Sequence, residues 1–141
     1  MEKITIKTDI NAKAEKVWQI LFGVESYPKW AAAFMEGSQA ATDWKKGSKA
    51  LFTDGKGNGM VAIIEENIQN KFLSIKHLGE LKDGKEELQD WGNALENYTL
   101  EEHNDHTTLI IDMNVNDEWK DYLVKTWPKA LEKVKELAEA G

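Results

Sequence analysis

The chain has 141 residues, which fits one domain over residues 1–141, and its hydrophobic content of 41% excludes a disordered protein. Its formal net charge of −7, with lysines interspersed among acidic residues, argues against binding to nucleic acid or to an anionic membrane. The absence of cysteine excludes disulfides and thiolate chemistry. The sequence has neither a signal-peptide pattern nor an apolar run of about 20 residues, so we expect a cytoplasmic protein.

The N-terminal third is predicted to form a strand followed by two short helices. Isoleucines alternate with polar residues over 3–10, which is typical of a half-buried strand. Asn11 offers an N-cap for a helix over 14–22, and Gly23 ends that helix. A second short helical stretch is predicted over 27–34.

The middle of the chain is predicted to form short strands separated by turn residues. We expect six of them, at residues 39–44, 48–53, 60–68, 72–79, 93–102 and 107–115. The connections have hairpin lengths, which favours an antiparallel meander. The polar, acidic segment 80–89 is predicted to be an exposed loop.

The last element is predicted to be a long amphipathic helix. Apolar residues recur at steps of three and four over 117–140, and Asn116 or Asp117 can cap the helix. Pro128 lies inside it and removes the amide that would bond the carbonyl of Val124. We therefore predict a bend near Pro128, not a helix end.

Together these elements predict an α+β fold. A curved, seven-stranded antiparallel sheet wraps around the long C-terminal helix, and two short helices follow the first strand. The long helix must cover one face of the sheet. Because one helix cannot fill a concave face, we expect a cavity between the sheet and this helix.

Segments throughout the chain carry a family resemblance: Ile10-Asn11-Ala12, Ala14-Glu15-Lys16-Val17-Trp18, Trp30, His77-Leu78-Gly79, Ala94-Leu95-Glu96-Asn97-Tyr98-Thr99-Leu100 and Thr126-Trp127-Pro128-Lys129-Ala130-Leu131. With these residues the chain resembles the START-like helix-grip superfamily, which includes birch-pollen-allergen-like proteins and polyketide cyclases. Within it, the chain is similar to bacterial domains related to the C-terminal domain of the activator of heat-shock protein 90 ATPase.

This resemblance implies the helix-grip fold and little chemistry, because the superfamily holds lipid carriers, hormone receptors and cyclases alike. The chaperone activator relies on a further N-terminal domain, which we expect to be missing here. Chaperone activation is therefore not implied.

Two motifs that suggest metal or phosphate binding have simpler explanations. His103 and His106 flank a predicted turn, so we interpret them as a hairpin tip and not as metal ligands. Gly55, Gly57 and Gly59 precede a strand, whereas a phosphate loop needs a helix N-terminus there. We therefore expect neither a metal nor a cofactor.

His77 is the most interesting polar residue. It shares a period-two face with Leu73 and Ile75, so it is predicted to point inward, as a general base, an orienting hydrogen-bonding group or a satisfied core histidine. Glu96 alternates with Tyr98 and becomes its possible partner if that face is also inward.

These observations favour a monomer that binds a small apolar molecule, lipid-like or aromatic. The predicted pocket residues are Phe52, Ala62, Ile64, Leu73, Ile75, His77, Glu96, Tyr98, Leu100 and Ile111 from the sheet, with Trp119, Leu123, Trp127 and Leu131 from the helix. If the helix lies directly on the sheet, Trp18, Trp119 and Trp127 belong to the core.

Two alternatives stay open. One is a cyclase- or aromatase-type enzyme that uses His77, Glu96 or Tyr98 for acid–base chemistry. It lacks an evident nucleophile or metal set, so a binding role without catalysis is favoured. The other is a chaperone-related protein-interaction module, for which the sequence offers no evident exposed apolar patch.

Overall fold

The computed structural model describes residues 2–92 and 94–140. Its fold is α+β, as predicted: a curved antiparallel sheet, two short helices after the first strand and a long C-terminal helix. The elements in chain order are β1 (Glu2–Ile10), α1 (Ala14–Phe22), α2 (Tyr27–Ala31), β2 (Gln39–Ala41), β3 (Lys49–Thr53), β4 (Gly59–Ile68), β5 (Phe72–Lys82), β6 (Lys85–Leu88), β7 (Leu95–His103), β8 (His106–Val115) and α3 (Asp117–Glu139).

The strands form one sheet in the order β1-β8-β7-β5-β4-β3-β2, and every pairing is antiparallel. The first strand pairs with the last, from Glu2 opposite Val115 to Ile10 opposite Thr107. The sixth strand, β6, lies outside this order and pairs with β5. Residues 72–76 of β5 pair with β7 and residues 79–82 pair with β6, so the two strands share one edge of β5.

The strand β6 corrects the sequence analysis, which predicted an exposed loop over residues 80–89 and seven strands in total. The chain turns back at Asp83 and Gly84, whose φ angles of 49° and 78° are those of a tight two-residue hairpin turn. All four side chains of β6 are exposed. Its sequence, Lys-Glu-Glu-Leu, also lacks the alternation of apolar and polar residues by which a half-buried strand is recognised.

The glycine before this hairpin allows β6 to approach. A Cβ atom at Gly79 would lie 2.2 Å from the carbonyl oxygen of Glu87, well inside van der Waals contact. Only glycine therefore fits at this position of the ladder.

The other predicted turns are confirmed. His103 and His106 face each other across Asn104 and Asp105, both with positive φ, so they form a hairpin tip. Residues 54–58 connect β3 to β4, and the amide of Asp54 donates to the carbonyl of Asn58.

The start of α1 differs from the prediction. The helix is preceded by Lys13, which provides no side-chain cap, and Asn11 lies outside it. The amide of Ala14 instead donates to Glu102 Oε1 at 2.8 Å. A residue of β7 therefore caps α1, and its negative charge also suits a helix N-terminus.

The long helix α3 is confirmed in extent and capping. Asn116 accepts a hydrogen bond from the amide of Trp119, and the helix continues through Pro128. Thr126 Oγ1 donates to the carbonyl of Tyr122 at 2.6 Å, one turn before the proline. The bend stays a prediction.

The apolar stripe of α3 packs into the core, with Trp127, Ala130, Leu131, Val134 and Ala138 buried. This helix contacts β1, α1 and α2. Within the described part of the chain, no helix is long and apolar enough to cross a bilayer.

Trp119 does not belong to this core, contrary to the expectation from the sequence. It is 54% exposed and packs edge-on against Tyr122. The reason is its position in the first turn of α3, whose apolar stripe becomes buried only from Thr126 onward. Trp18 and Trp127 are buried, as expected.

Candidate functional site

A pocket of about 180 Å³ lies between one end of the sheet and the helices α2 and α3. The sheet contributes Gln39, Phe52, Thr53, Gly59, Met60, His77, Glu96, Tyr98 and Met113. The helical side consists of Tyr27, Trp30, Ala31, Phe34, Met35, Ser38, Leu123 and Trp127. Most of these side chains are apolar or aromatic; polar groups are contributed by Tyr27, Ser38, Gln39 and Thr53, and by His77, Glu96 and Tyr98 together on the sheet side.

The structure brings together six of the fourteen residues predicted for this site. The pocket is lined by Phe52, His77, Glu96, Tyr98, Leu123 and Trp127. The remaining sheet and helix positions lie in the core instead: Ala62, Ile64, Leu73, Ile75, Leu100, Ile111 and Leu131. Trp119 lies on the surface.

The position of α1 explains this division. Val17 and Leu21 are fully buried, and α1 contacts β7, β8 and α3. This helix therefore fills much of the space in which the sequence predicted a cavity. The pocket is confined to the end of the sheet that α1 leaves uncovered.

Sequence reasoning missed the wall formed by α2 and the segment after it. Tyr27, Trp30 and Phe34 follow one another at steps of three and four, so they lie on the same side of the chain. Trp30 Nε1 lies 3.2 Å from the carbonyl oxygens of both Ile20 and Leu21 and donates to them. This contact fixes α2 against the end of α1.

A hydrogen-bonded cluster lies at the sheet side of the pocket. His77 Nε2 lies 3.1 Å from Glu96 Oε1, and the hydroxyl of Tyr98 donates to the other carboxylate oxygen, Oε2. The partnership of His77 with Glu96, proposed from the alternation of the strands, is thereby confirmed.

The sheet register produces this contact. Glu96 on β7 is directly opposite Ile75 on β5, so His77, two residues further along the same face, is its diagonal neighbour. The pairing of β4 with β5 shifts beside His77, and Leu78 is the extra residue. Such bulges reorient neighbouring side chains.

Glu96 is ionised at neutral pH. Burial opposes the ionisation of Glu96, but the hydrogen bond and charge of His77 and the Tyr98 hydroxyl outweigh it, so the pKa of Glu96 lies below its ordinary value. Burial, followed by the charge of Glu96, raises the pKa of Tyr98 well above normal. The same two causes raise the pKa of Tyr27. Both phenols therefore stay protonated.

The second ring nitrogen of His77, Nδ1, has no partner within the part of the chain that the structure describes. Among the residues that the structure describes, Nδ1 is the one buried side-chain nitrogen or oxygen without a hydrogen bond. An unpaired buried polar group costs about 1–3 kcal/mol. Such a group in a pocket is a candidate point of contact for a ligand.

A second hollow, a surface groove of about 280 Å³, lies between α1 and the segment around Trp44. Trp44 has a φ of 62°, which is unusual for a bulky residue, and Asn67 Nδ2 donates to its carbonyl at 2.7 Å. Its ring packs against Phe22 and Phe52. The groove has no buried polar cluster comparable to that of the pocket.

No group of three His, Asp or Glu side chains is placed to share a metal ion in residues 2–92 and 94–140.

Comparison with known proteins identifies the family. The model of the family described as Activator of Hsp90 ATPase homolog 1-like protein matches residues 11–139. The chain belongs to this family. Its membership confirms the resemblance to the START-like helix-grip superfamily. No curated protein matches the chain significantly.

Solved structures show the same fold. The Aha1 dimer from Colwellia psychrerythraea is 21% identical, over 100% of this chain and 98% of its own, with a TM-score of 0.76. Protein MLL2253 from Mesorhizobium loti is 18% identical over 98% and 97%, with a TM-score of 0.73. CalU16 from Micromonospora echinospora is 16% identical over 94% and 71%, with a TM-score of 0.69.

Proposed function

We propose that this member of the family binds a small, uncharged aromatic molecule in the pocket between the sheet, α2 and α3. The observation that carries the proposal is an apolar pocket with one concentrated group of polar side chains, including the unpaired Nδ1 of His77. An apolar wall with few polar contact points is the usual composition of a small-molecule site.

The volume sets the size of the ligand. Drug-sized ligands occupy pockets of about 300–1,000 Å³, whereas an engineered cavity of about 150 Å³ accepts benzene. The pocket of about 180 Å³ is closer to the second case. A single-ring molecule therefore fits better than an extended lipid.

The charge of the site sets the charge of the ligand. The ionised Glu96 and the net charge of −7 both disfavour a carboxylate such as that of a fatty acid. Burying about 150 Å² of an aromatic ring contributes about 4 kcal/mol, which corresponds to a dissociation constant near millimolar before any hydrogen bond is counted.

The experiment is an amide-shift titration with toluene, indole and decanoate. We expect toluene and indole to shift residues around Tyr98 and Trp127, and decanoate to leave them unchanged. Ala31 is buried on the pocket wall, whereas Ala32 is exposed beside it. Ala31→Met should therefore abolish the shifts by filling the pocket, and Ala32→Met should retain them.

Absence of pocket shifts with both aromatic molecules at saturation would contradict the proposal. Binding of decanoate at the same residues would indicate that the pocket accepts a lipid-like ligand and not the small aromatic ligand proposed here.

A second candidate function is enzymatic, of the cyclase or aromatase type. It is favoured by the contact of His77 with Glu96, because a carboxylate that holds one imidazole nitrogen orients the other as a general base. Acetophenone, a single-ring ketone, provides a test in deuterated water. In that reaction Nδ1 takes a proton from the methyl carbon, an enolate forms and a solvent deuteron returns.

We expect an enzyme of this kind to accelerate loss of the methyl proton signal, and His77→Leu to remove the acceleration. Exchange at the rate of protein-free buffer would exclude this function for enolisable aromatic ketones.

A further inference from the structure

We infer that the molecule bound in this pocket carries a hydrogen-bond donor, such as a phenolic hydroxyl or an indole N–H, and presents it to Nδ1 of His77. The inference rests on the proposed function and specifies the chemistry of its ligand. Three observations support it: the partner of Nε2, the burial of Nδ1 and the absence of a protein donor for Nδ1.

The partner of Nε2 determines which nitrogen carries the proton. A neutral imidazole has one N–H donor and one acceptor nitrogen. Glu96 is ionised and its other oxygen already accepts from Tyr98, so Oε1 requires a donor from His77. In the neutral imidazole the proton is therefore on Nε2, and Nδ1 presents a lone pair.

That lone pair is buried with no partner in the described residues. His77 lines the pocket, and the ring of Phe52 lies 6.2 Å from the imidazole, centroid to centroid. A molecule seated in the pocket beside His77 can supply the donor that the described residues lack. The bond from Nε2 to the carboxylate also polarises the imidazole, which makes Nδ1 a stronger acceptor.

This arrangement selects among ligands of one shape. A phenol satisfies Nδ1, whereas toluene leaves it unpaired and anisole brings an ether oxygen that can only accept. A carboxylate is repelled by the charge of Glu96. The pocket therefore distinguishes a donor from an acceptor on otherwise similar rings.

The first test compares phenol, toluene and anisole on the whole chain at about pH 8, where phenol is un-ionised because phenolic groups titrate near 10. His77→Leu should weaken phenol relative to toluene by about tenfold, the usual effect of one hydrogen bond. His103→Leu, at the exposed hairpin tip, should leave the ratio unchanged.

The second test uses unmodified protein and does not depend on the folding of a variant. Long-range proton–nitrogen spectra resolve the ring nitrogens of the three histidines. We expect a bare Nδ1 on His77 in the free protein and a shift of this nitrogen with phenol but not with toluene.

The outcomes separate the two proposals. If none of the three molecules binds, the proposed function fails. If all bind in the pocket but the phenol-to-toluene ratio is the same in His77→Leu, or if Nδ1 carries the proton and anisole binds most tightly, only the present inference fails.

Discussion

At the scale of single residues, Glu96 is the buried charge on which the site depends. Its pKa is lower in the folded protein than in the unfolded chain, because His77 and Tyr98 hydrogen-bond to the ionised form. The unfolded chain therefore binds more protons near the ordinary pKa, and stability rises with pH there. The contribution of the ionised Glu96 to the free energy of unfolding is complete above pH 4.5, the ordinary pKa of a glutamate, and is lost as the pH falls through the pKa of Glu96 in the folded protein.

Replacing Glu96 by Gln should lower the free energy of unfolding by about 1.5–3 kcal/mol at pH 7, the range for hydrogen bonds to a charged group. The difference from wild type should shrink as the pH falls below 4.5. Urea unfolding between pH 3 and pH 7 (in steps of about one unit) measures both effects. Glu101→Gln, exposed on the same strand, should change little, and an equal loss at all pH values would contradict the argument.

The sequence predicts this cluster only in part. Period-two alternation places His77, Glu96 and Tyr98 on inward faces, and the register then makes them neighbours. That Nδ1 is left without a partner depends on every element packed around His77. No local pattern in the sequence carries that information.

At the scale of elements, α1 depends on the sheet for its start. Glu102 of β7 accepts the first helical amide, that of Ala14, because Lys13 has no side-chain oxygen to do so. A local signal, Asn11, therefore predicted the wrong cap. The position of a cap supplied by a distant strand cannot be read from the residues next to the helix.

Glu102→Ala should destabilise the protein by about 1 kcal/mol through loss of this cap. The amide of Ala14 should also lose protection from hydrogen exchange. Glu101→Ala is the control, because Glu101 is exposed and adjacent on β7. Equal effects of the two substitutions would show that Glu102 does not act as a cap.

Pro128→Ala should preserve the fold and straighten α3, because it restores an amide that can donate to the carbonyl of Val124. Pro128 is exposed, so the change removes no core packing. Residual dipolar couplings of the helix measure its axis in both proteins. Identical axes before and after the substitution would exclude a bend caused by the proline.

Elements with strong periodicity were predicted well, whereas β6 was not. The stripe of α3 and the alternation of β1 follow directly from burial of one face. The strand β6 is held by backbone pairing with β5 and by the ion pairs of Glu86 with Lys49 and of Glu87 with Lys82, and it has no buried face. Its local signal, Asp83-Gly84, is a common hairpin turn, but the polar, acidic composition around it is also typical of a loop.

At the scale of the whole molecule, the N-terminal and C-terminal segments of the chain pack against each other. β1 pairs with β8, and α3 packs on β1. The amide of Asn11 donates to Glu139, and Lys135 Nζ donates to the carbonyl of Asp9 at 2.9 Å. Sheet and helix therefore depend on contacts between distant parts of the sequence.

We expect this arrangement to unfold in one step. Leu131→Ala, in the buried stripe of α3, should lower the free energy of unfolding by about 2–5 kcal/mol. Within each protein, tryptophan fluorescence and far-ultraviolet circular dichroism should give the same unfolding midpoint as each other. Loss of helical signal before the fluorescence change would show that α3 unfolds separately, and Lys129→Ala on the exposed face provides the control.

The location of the pocket also belongs to this scale. The sequence predicts a cavity between the sheet and α3, but α1 occupies much of that space. Which part of a curved sheet stays uncovered depends on how three helices share its face. Chain order alone does not determine that division.

The pocket wall formed by α2 and residues 32–38 has an evolutionary consequence. Trp30 anchors α2 through two carbonyls of α1, so its neighbours on the wall can vary while the backbone path is kept. Substitutions at Ala31 or Met35 alter the shape of the pocket without changing any strand pairing of the sheet. A lineage can therefore change the shape of the pocket through this short segment while the rest of the scaffold is inherited unchanged.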